Sequence, residues 1–202
     1  MELSNYRLGD LIFIPGLFDS ELLKKIINDY PNTFATKYIM ECQNRQEEDN
    51  LTIITNIVLE FIKNNKHLMP NDIENSTVIH LRLGDVIAGN TWHEKTKRPL
   101  DINDMKQSLE NDNNKKYVIG KQFYCNTSSI NYNECSLKSI KYLNEVLTTF
   151  NAIHLNNSAD IDLCCGVMAK QFFQGRGYFS KLIVEIRKKL NLPVIETLTT
   201  IE

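Results

Sequence analysis

The sequence predicts an α/β protein whose larger, C-terminal part folds as a Rossmann-like parallel sheet. Three observations predict it. From residue 77 onward, short β-branched or aromatic runs (77–83, 117–124, 152–155 and 171–174) alternate with stretches of helical period. Alternation at that spacing calls for parallel strands joined by crossover helices. The run TVIHLRL at 77–83 carries His80 and Arg82 near its end and then breaks at Gly84-Asp85. Open α/β sheets bind ligands at the carboxyl ends of their strands, and a desolvated Arg needs an anionic partner. Finally, Gly175-Arg176-Gly177 stands between a strand and the last helix, where backbone N–H groups and glycines together make an anion site.

Taken in order, residues 11–18 read as a short strand broken by Pro15-Gly16, followed by a helix over about 20–30 that Pro31 ends. A helix over about 51–65 carries the stripe Leu51, Ile54, Ile57, Val58, Phe61 and Ile62. Met69-Pro70-Asn71-Asp72 breaks the chain and divides a small N-terminal region, 1–72, from the sheet-forming region, 73–202. The strand at 77–83 comes next. A polar connection over 88–104 holds the only Trp, and 105–110 suggests a turn or two of helix. A strand over 117–124 precedes a helix capped by Ser136, with Ile140, Leu143, Val146 and Leu147 inward. A strand at 152–155 leads to a helix capped by Ser158, with Ile161, Cys164, Cys165, Val167 and Met168 inward. After the strand at 171–174, a helix over about 179–190 turns Leu182, Ile183, Ile186 and Leu190 inward, and Pro193-Val194-Ile195 offers an edge strand.

Composition narrows the classes. A net charge of −2, from 23 Lys and Arg against 25 Asp and Glu, implies no basic face and argues against nucleic acid as a partner. The first residues lack the basic and apolar regions of a signal peptide, and no apolar run approaches a membrane span. The five cysteines show neither CxxC nor zinc spacing. These features together point to free thiols and a cytoplasmic protein, including a virus-encoded one in its host's cytoplasm.

Two readings stand side by side at each anion feature. Arg82 suits a phosphate through its planar fork, or else pairs with a structural carboxylate such as Asp85. At the glycine turn, Arg176, Gly177 and Ser180 either contact phosphate or serve only as turn and helix cap, with Ser180 as the cap. Asp160 and Asp162 fall in the first turn of a helix, where the macrodipole stabilises acids, so they do not predict a metal pair. Glu94, like His93, lies in the polar connection after the Arg82 strand and is a candidate base.

His80-Leu81-Arg82-Leu83-Gly84-Asp85 and the stretch from Ser158-Ala159-Asp160 to Gly177-Tyr178-Phe179-Ser180 resemble, in order and spacing, the motifs of the α1,2/α1,6- and protein O-fucosyltransferase superfamily. The resemblance covers roughly 76–190 and suggests a short or viral-type member. It implies a GT-B fold whose C-terminal donor half is present here beside a reduced, acceptor-side N-terminal region. It also implies metal-independent, inverting transfer from GDP-fucose or another GDP-sugar to a glycan or glycoprotein hydroxyl, without a cofactor. Carried over residue by residue, Arg82 would grip the diphosphate and stabilise the leaving GDP. His80 would lie against the nucleoside, Asp160 would accept from the guanine edge, and Phe179 and Ser180 would close on ribose and phosphate. Asp85 and Glu94 are the candidate proton acceptors. Leu83 stands where many members have a second Arg, and the family's Gly-rich N-terminal turn is missing. A non-catalytic nucleotide-sugar-binding remnant within a complex is therefore the alternative, and a homo-oligomer or partner chain is left open.

Overall fold

The computed structural model describes residues 50–84, 86–87, 99–123 and 131–196. The expectations for residues 11–31, for Asp85, and for His93 and Glu94 lie outside the described residues.

The centre of the fold is a five-stranded parallel sheet. Strand β1 is Thr77–His80, β3 is Lys116–Ile119, β5 is Ile153–His154, β6 is Gln171–Phe173 and β7 is Val194–Ile195, in the spatial order β5-β3-β1-β6-β7. The chain moves outward from β1 to β5, then returns to the other side of β1 and moves outward again. Reversing direction with right-handed crossovers puts the two sets of helices on opposite faces. Helices α2 (Ile102–Ser108) and α3 (Tyr132–Phe150) accordingly share a core with Ile79, Val118 and Phe173. On the other face, α4 (Ala159–Met168), α5 (Tyr178–Lys189) and α1 (Asn50–Asn65) pack with Val78, Tyr117, Ile119 and Phe172. Successive residues of each central strand thus alternate between two apolar layers, which is why these strands read as near-continuous apolar runs. The architecture is Rossmann-like.

In α1, Val58, Phe61 and Ile62 are buried and Leu51 packs beside them, while the side chains of Ile54 and Ile57 lie outside the described residues. This helix belongs to the same core as α4 and α5, so the break at 69–72 separates segments that pack together. No described helix is long and apolar enough to cross a membrane.

Some boundaries differ from those the sequence predicts. The run at 77–83 is not one strand. β1 stops at His80, and Leu83–Gly84 forms β2, paired in parallel with β4 (Gln122–Phe123) in a separate two-stranded sheet. The run at 117–124 divides in the same way at Gly120, whose φ of +120° places it outside strand geometry. The cap of α3 is Asn131, which accepts from Glu134 N–H at 3.2 Å, and not Ser136. The first turn of α3 is polar, so its apolar period begins late and hides the true start. Ile140 is 46% exposed, because the buried face runs through Cys135, Ser139 and Val146. Cys135, Cys164 and Cys165 are buried.

The most demanding group in the fold is Arg187. Its side chain is 0% exposed although it sits in the apolar face of α5 beside Ile183 and Ile186. Nη1 donates to the carbonyls of Gly166, Val167 and Ala169 at 2.9, 2.8 and 2.8 Å, and Nη2 to Lys170 and Pro193 at 3.3 and 2.7 Å. Nε also donates to Pro193 at 3.1 Å. The guanidinium thereby satisfies carbonyls at the C-terminus of α4 and holds the chain entering β7, with its charge at the negative end of the helix dipole. Burial lowers its pKa to about 10, so it stays cationic at neutral pH.

Candidate functional site

In the order β5-β3-β1-β6-β7 the chain changes direction between β1 and β6. The carboxyl ends of those two strands are the topological switch point, where open α/β sheets leave a crevice. His80 and Arg82 arrive there from β1, and Gly175, Arg176 and Gly177 from β6. Gly175 is required by close approach, since a methyl group at its Cα would collide with both the imidazole and the carbonyl of His80. Gly177 has φ +95°, and a Cβ there would come within 2.9 Å of Arg82 Nη1. The guanidinium therefore lies directly against the start of α5.

That start differs from those of α2, α3 and α4. Asp101, Asn131 and Ser158 cap α2, α3 and α4 with side-chain oxygens. Gly177 caps α5 without a side-chain hydrogen bond, and the first turn of α5 holds no acidic residue. The Ser180 reading as a cap is thus corrected: Ser180 is the third residue of the helix. It is 0% exposed, and its Oγ has no hydrogen-bond partner. Helix N–H groups without a capping side chain and a guanidinium meet at one place, an arrangement suited to an anion, and a buried, unpartnered hydroxyl lies in the same helical turn.

His80 faces Phe179, with ring centroids 5.3 Å apart and planes tilted by 36°. Burial, reinforced by the charge of Arg82, lowers the His80 pKa to about 3. The imidazole is therefore neutral at physiological pH and offers a ring surface and a hydrogen-bonding nitrogen, not a charge. Its Nδ1 has no hydrogen-bond partner.

Of the residues singled out in the sequence, His80, Arg82, Gly177 and Phe179 come together here, and Ser180 follows in the same turn of α5. Arg176 is half-buried and within electrostatic reach of Tyr142 on α3. Asp160 is buried in the first turn of α4. Asp85 and Glu94 are not among the described residues. Those residues contain no group of three or more His, Cys, Asp or Glu placed to hold a metal ion.

One rim feature was not legible in the sequence. Asp162, 3% exposed, accepts from Gly120 N–H at 3.3 Å through Oδ2, and His154 Nε2 donates to Gly120 O at 3.0 Å. Gly120 itself touches β1, since a Cβ there would collide with the Leu81 carbonyl. Burial raises the Asp162 pKa to about 7, against opposing pulls from the Gly120 N–H, the Lys121 charge and Asn157. A buried carboxyl of raised pKa beside a strand end makes Asp162 a candidate site residue.

The two shifts oppose each other in the pH dependence of stability. Asp162 binds its proton more tightly when folded, so its contribution is present below about pH 4 and is lost as pH rises through about 7. His80 is depressed, so its contribution is present above about 6.5 and is lost as pH falls toward about 3. Between these limits the slopes partly cancel. Asp162→Asn should therefore stabilise the protein by on the order of 2 kcal/mol at pH 8 and by close to nothing at pH 4. Urea titrations at both pH values check this, and an equal effect at the two would contradict it.

The chain matches no protein-family model and no curated protein.

Proposed function

We propose that the protein is a glycosyltransferase that holds the diphosphate of a nucleotide-linked sugar against Arg82 and the start of α5. The observation that carries this reading is the meeting, at the switch point of a Rossmann-like sheet, of Arg82 with the uncapped N-terminus of α5, whose first turn also holds the buried, unpartnered Ser180 hydroxyl. A fold of this class is consistent with nucleotide-binding enzymes in general. The choice of a GDP-sugar, fucose first, the GT-B arrangement and the acceptor-side role of residues 1–72 rest on the sequence resemblance.

In the proposed transfer, an acceptor hydroxyl oxygen bonds to the anomeric carbon as the bond from that carbon to the diphosphate oxygen breaks. The electron pair leaves on the diphosphate, where Arg82, the α5 amides and Ser180 stabilise the developing charge. Inversion follows from attack opposite the leaving group. Asp85 or Glu94 takes the acceptor's proton. Neutral His80, stacked near Phe179, contacts the nucleoside, and Asp160 accepts from the base. The proposal needs no metal, since positive charge at the leaving group comes from the protein.

A thermal-shift panel of GDP, UDP, CDP, dTDP and their sugars, with and without EDTA, tests the reading. A ligand of the native state at a hundred times its Kd stabilises by ~2.7 kcal/mol, which such a panel detects. GDP and GDP-fucose are expected to shift the transition, with no effect of EDTA. Preference for UDP or dTDP would remove the guanine assignment, and no shift with any nucleotide would remove the site. GDP binding without sugar release or transfer to any acceptor would leave a binding protein.

A further inference from the structure

Resting on the anion site of the preceding reading, we propose that Lys121 is a second phosphate-binding cation, delivered by the neighbouring strand, which makes the site select a diphosphate over a single phosphate. The inference comes from register. His80 lies opposite Ile119 in the β1–β3 pair, and Leu83 lies opposite Gln122 in the β2–β4 pair. The offset between the two chains is the same on both sides of the break, so Leu81 faces Gly120 and Arg82 faces Lys121. Adjacent parallel strands run about 4.8 Å apart, and the two chains stay side by side past the strand ends, where Leu81 N–H donates to Ile119 O at 2.9 Å. Arg82 lies against the start of α5, and the Lys121 charge acts on Asp162 of α4, a helix packed on the same face of the sheet as α5. Lys121 therefore stands one strand from Arg82 on the same rim.

The backbone beneath it is fixed. Gly120 is pinned through its N–H by Asp162 and through its carbonyl by His154, and it closes against the Leu81 carbonyl with no room for a side chain. The lysine that follows is exposed, and its charge is felt by the Asp162 carboxyl. A fixed backbone with a long cationic arm suits a second, more distant phosphoryl group. Arg82, the α5 amides and Ser180 hold the first. Lys121 thus supplies, from the link between β3 and β4, the positive charge that Leu83 cannot supply from β2.

Titration calorimetry of the full chain with inorganic pyrophosphate and with orthophosphate, at one ionic strength, tests this. The wild type is expected to prefer pyrophosphate. Lys121→Gln should weaken pyrophosphate by about tenfold, the order of one charge-assisted contact, and orthophosphate by less than about twofold. Lys121→Arg should restore the preference. Because the side chain is exposed, the thermal transition of each variant should stay where the wild type's is. Pyrophosphate binding by the wild type that Lys121→Gln leaves unchanged would overturn the role of Lys121 alone. Equal losses for both anions would overturn it too, by showing general attraction without a second phosphoryl contact. No pyrophosphate binding by the wild type would overturn the anion site itself.

Discussion

Arg187→Met should cost the protein on the order of 3–5 kcal/mol of stability, the range found when one partner of a buried, hydrogen-bonded charge is removed. Methionine fills much of the same space, so the loss comes chiefly from carbonyls, not from a cavity. Those of Gly166, Val167, Ala169, Lys170 and Pro193 all accept from the guanidinium, the first three in fully buried hydrogen bonds. Domains of this kind are stable by about 5–15 kcal/mol, so the variant would approach the edge of folding. Arg187→Lys should recover only part of the loss, because an ammonium cannot reach the same fan of acceptors. Urea unfolding monitored by circular dichroism checks both, and a loss below about 1 kcal/mol for the methionine variant would show that the carbonyls find other partners. The effect bears on function as well. Arg187 anchors the C-terminal half of the helix whose first turn, Gly177 to Ser180, forms the anion site.

Arg82→Ala should leave the fold intact and remove the site's function. Arg82 is half-buried at the end of the sheet, and its contact with Gly177 belongs to the crevice and not to either apolar core. Loss of one charge-assisted, forked contact should weaken nucleoside diphosphate binding by about 30-fold or more. If the guanidinium stabilises the leaving diphosphate, transfer should fall by about 10²–10³-fold, as when one preorganised donor is taken from a developing negative charge. The thermal transition without ligand should move little. Calorimetry and a transfer assay on the same preparation separate the two effects. Full activity in Arg82→Ala would place the chemistry elsewhere.

Much of this could be read along the chain because local rules carried it. Ser158 before an acidic turn and an apolar run gives the start of α4, and the side chain accepts from Ile161 N–H as a cap does. The apolar strands and the Gly175–Gly177 turn likewise stand out, and with them His80, Arg82, Phe179 and Ser180. What escaped depends on contacts between distant residues. The division of 77–83 into two strands belonging to different sheets coincides with the turn at Gly120, which lies against the Leu81 carbonyl on the neighbouring chain, and no pattern within 77–83 encodes it. Asp162 and Asp160 look equivalent in the first turn of α4, and only packing against Gly120 distinguishes Asp162. Lys121 is unremarkable until the register sets it opposite Arg82. For Arg187 a signal existed: a cation directly after Ile186 and four residues after Ile183 interrupts the apolar face of α5. Its partners, the carbonyls ending the preceding helix, are visible only in three dimensions.

The central claim is that the rim between β1 and β6 binds a nucleoside diphosphate, and an amide NMR titration tests it most directly. With ¹⁵N-labelled protein and GDP, the largest changes are predicted at the amides of Gly177, Phe179 and Ser180, with smaller ones at Arg82 and Lys121. They should be lost in Arg82→Ala. Changes confined to other parts of the sheet, or none at saturating nucleotide, would contradict the account.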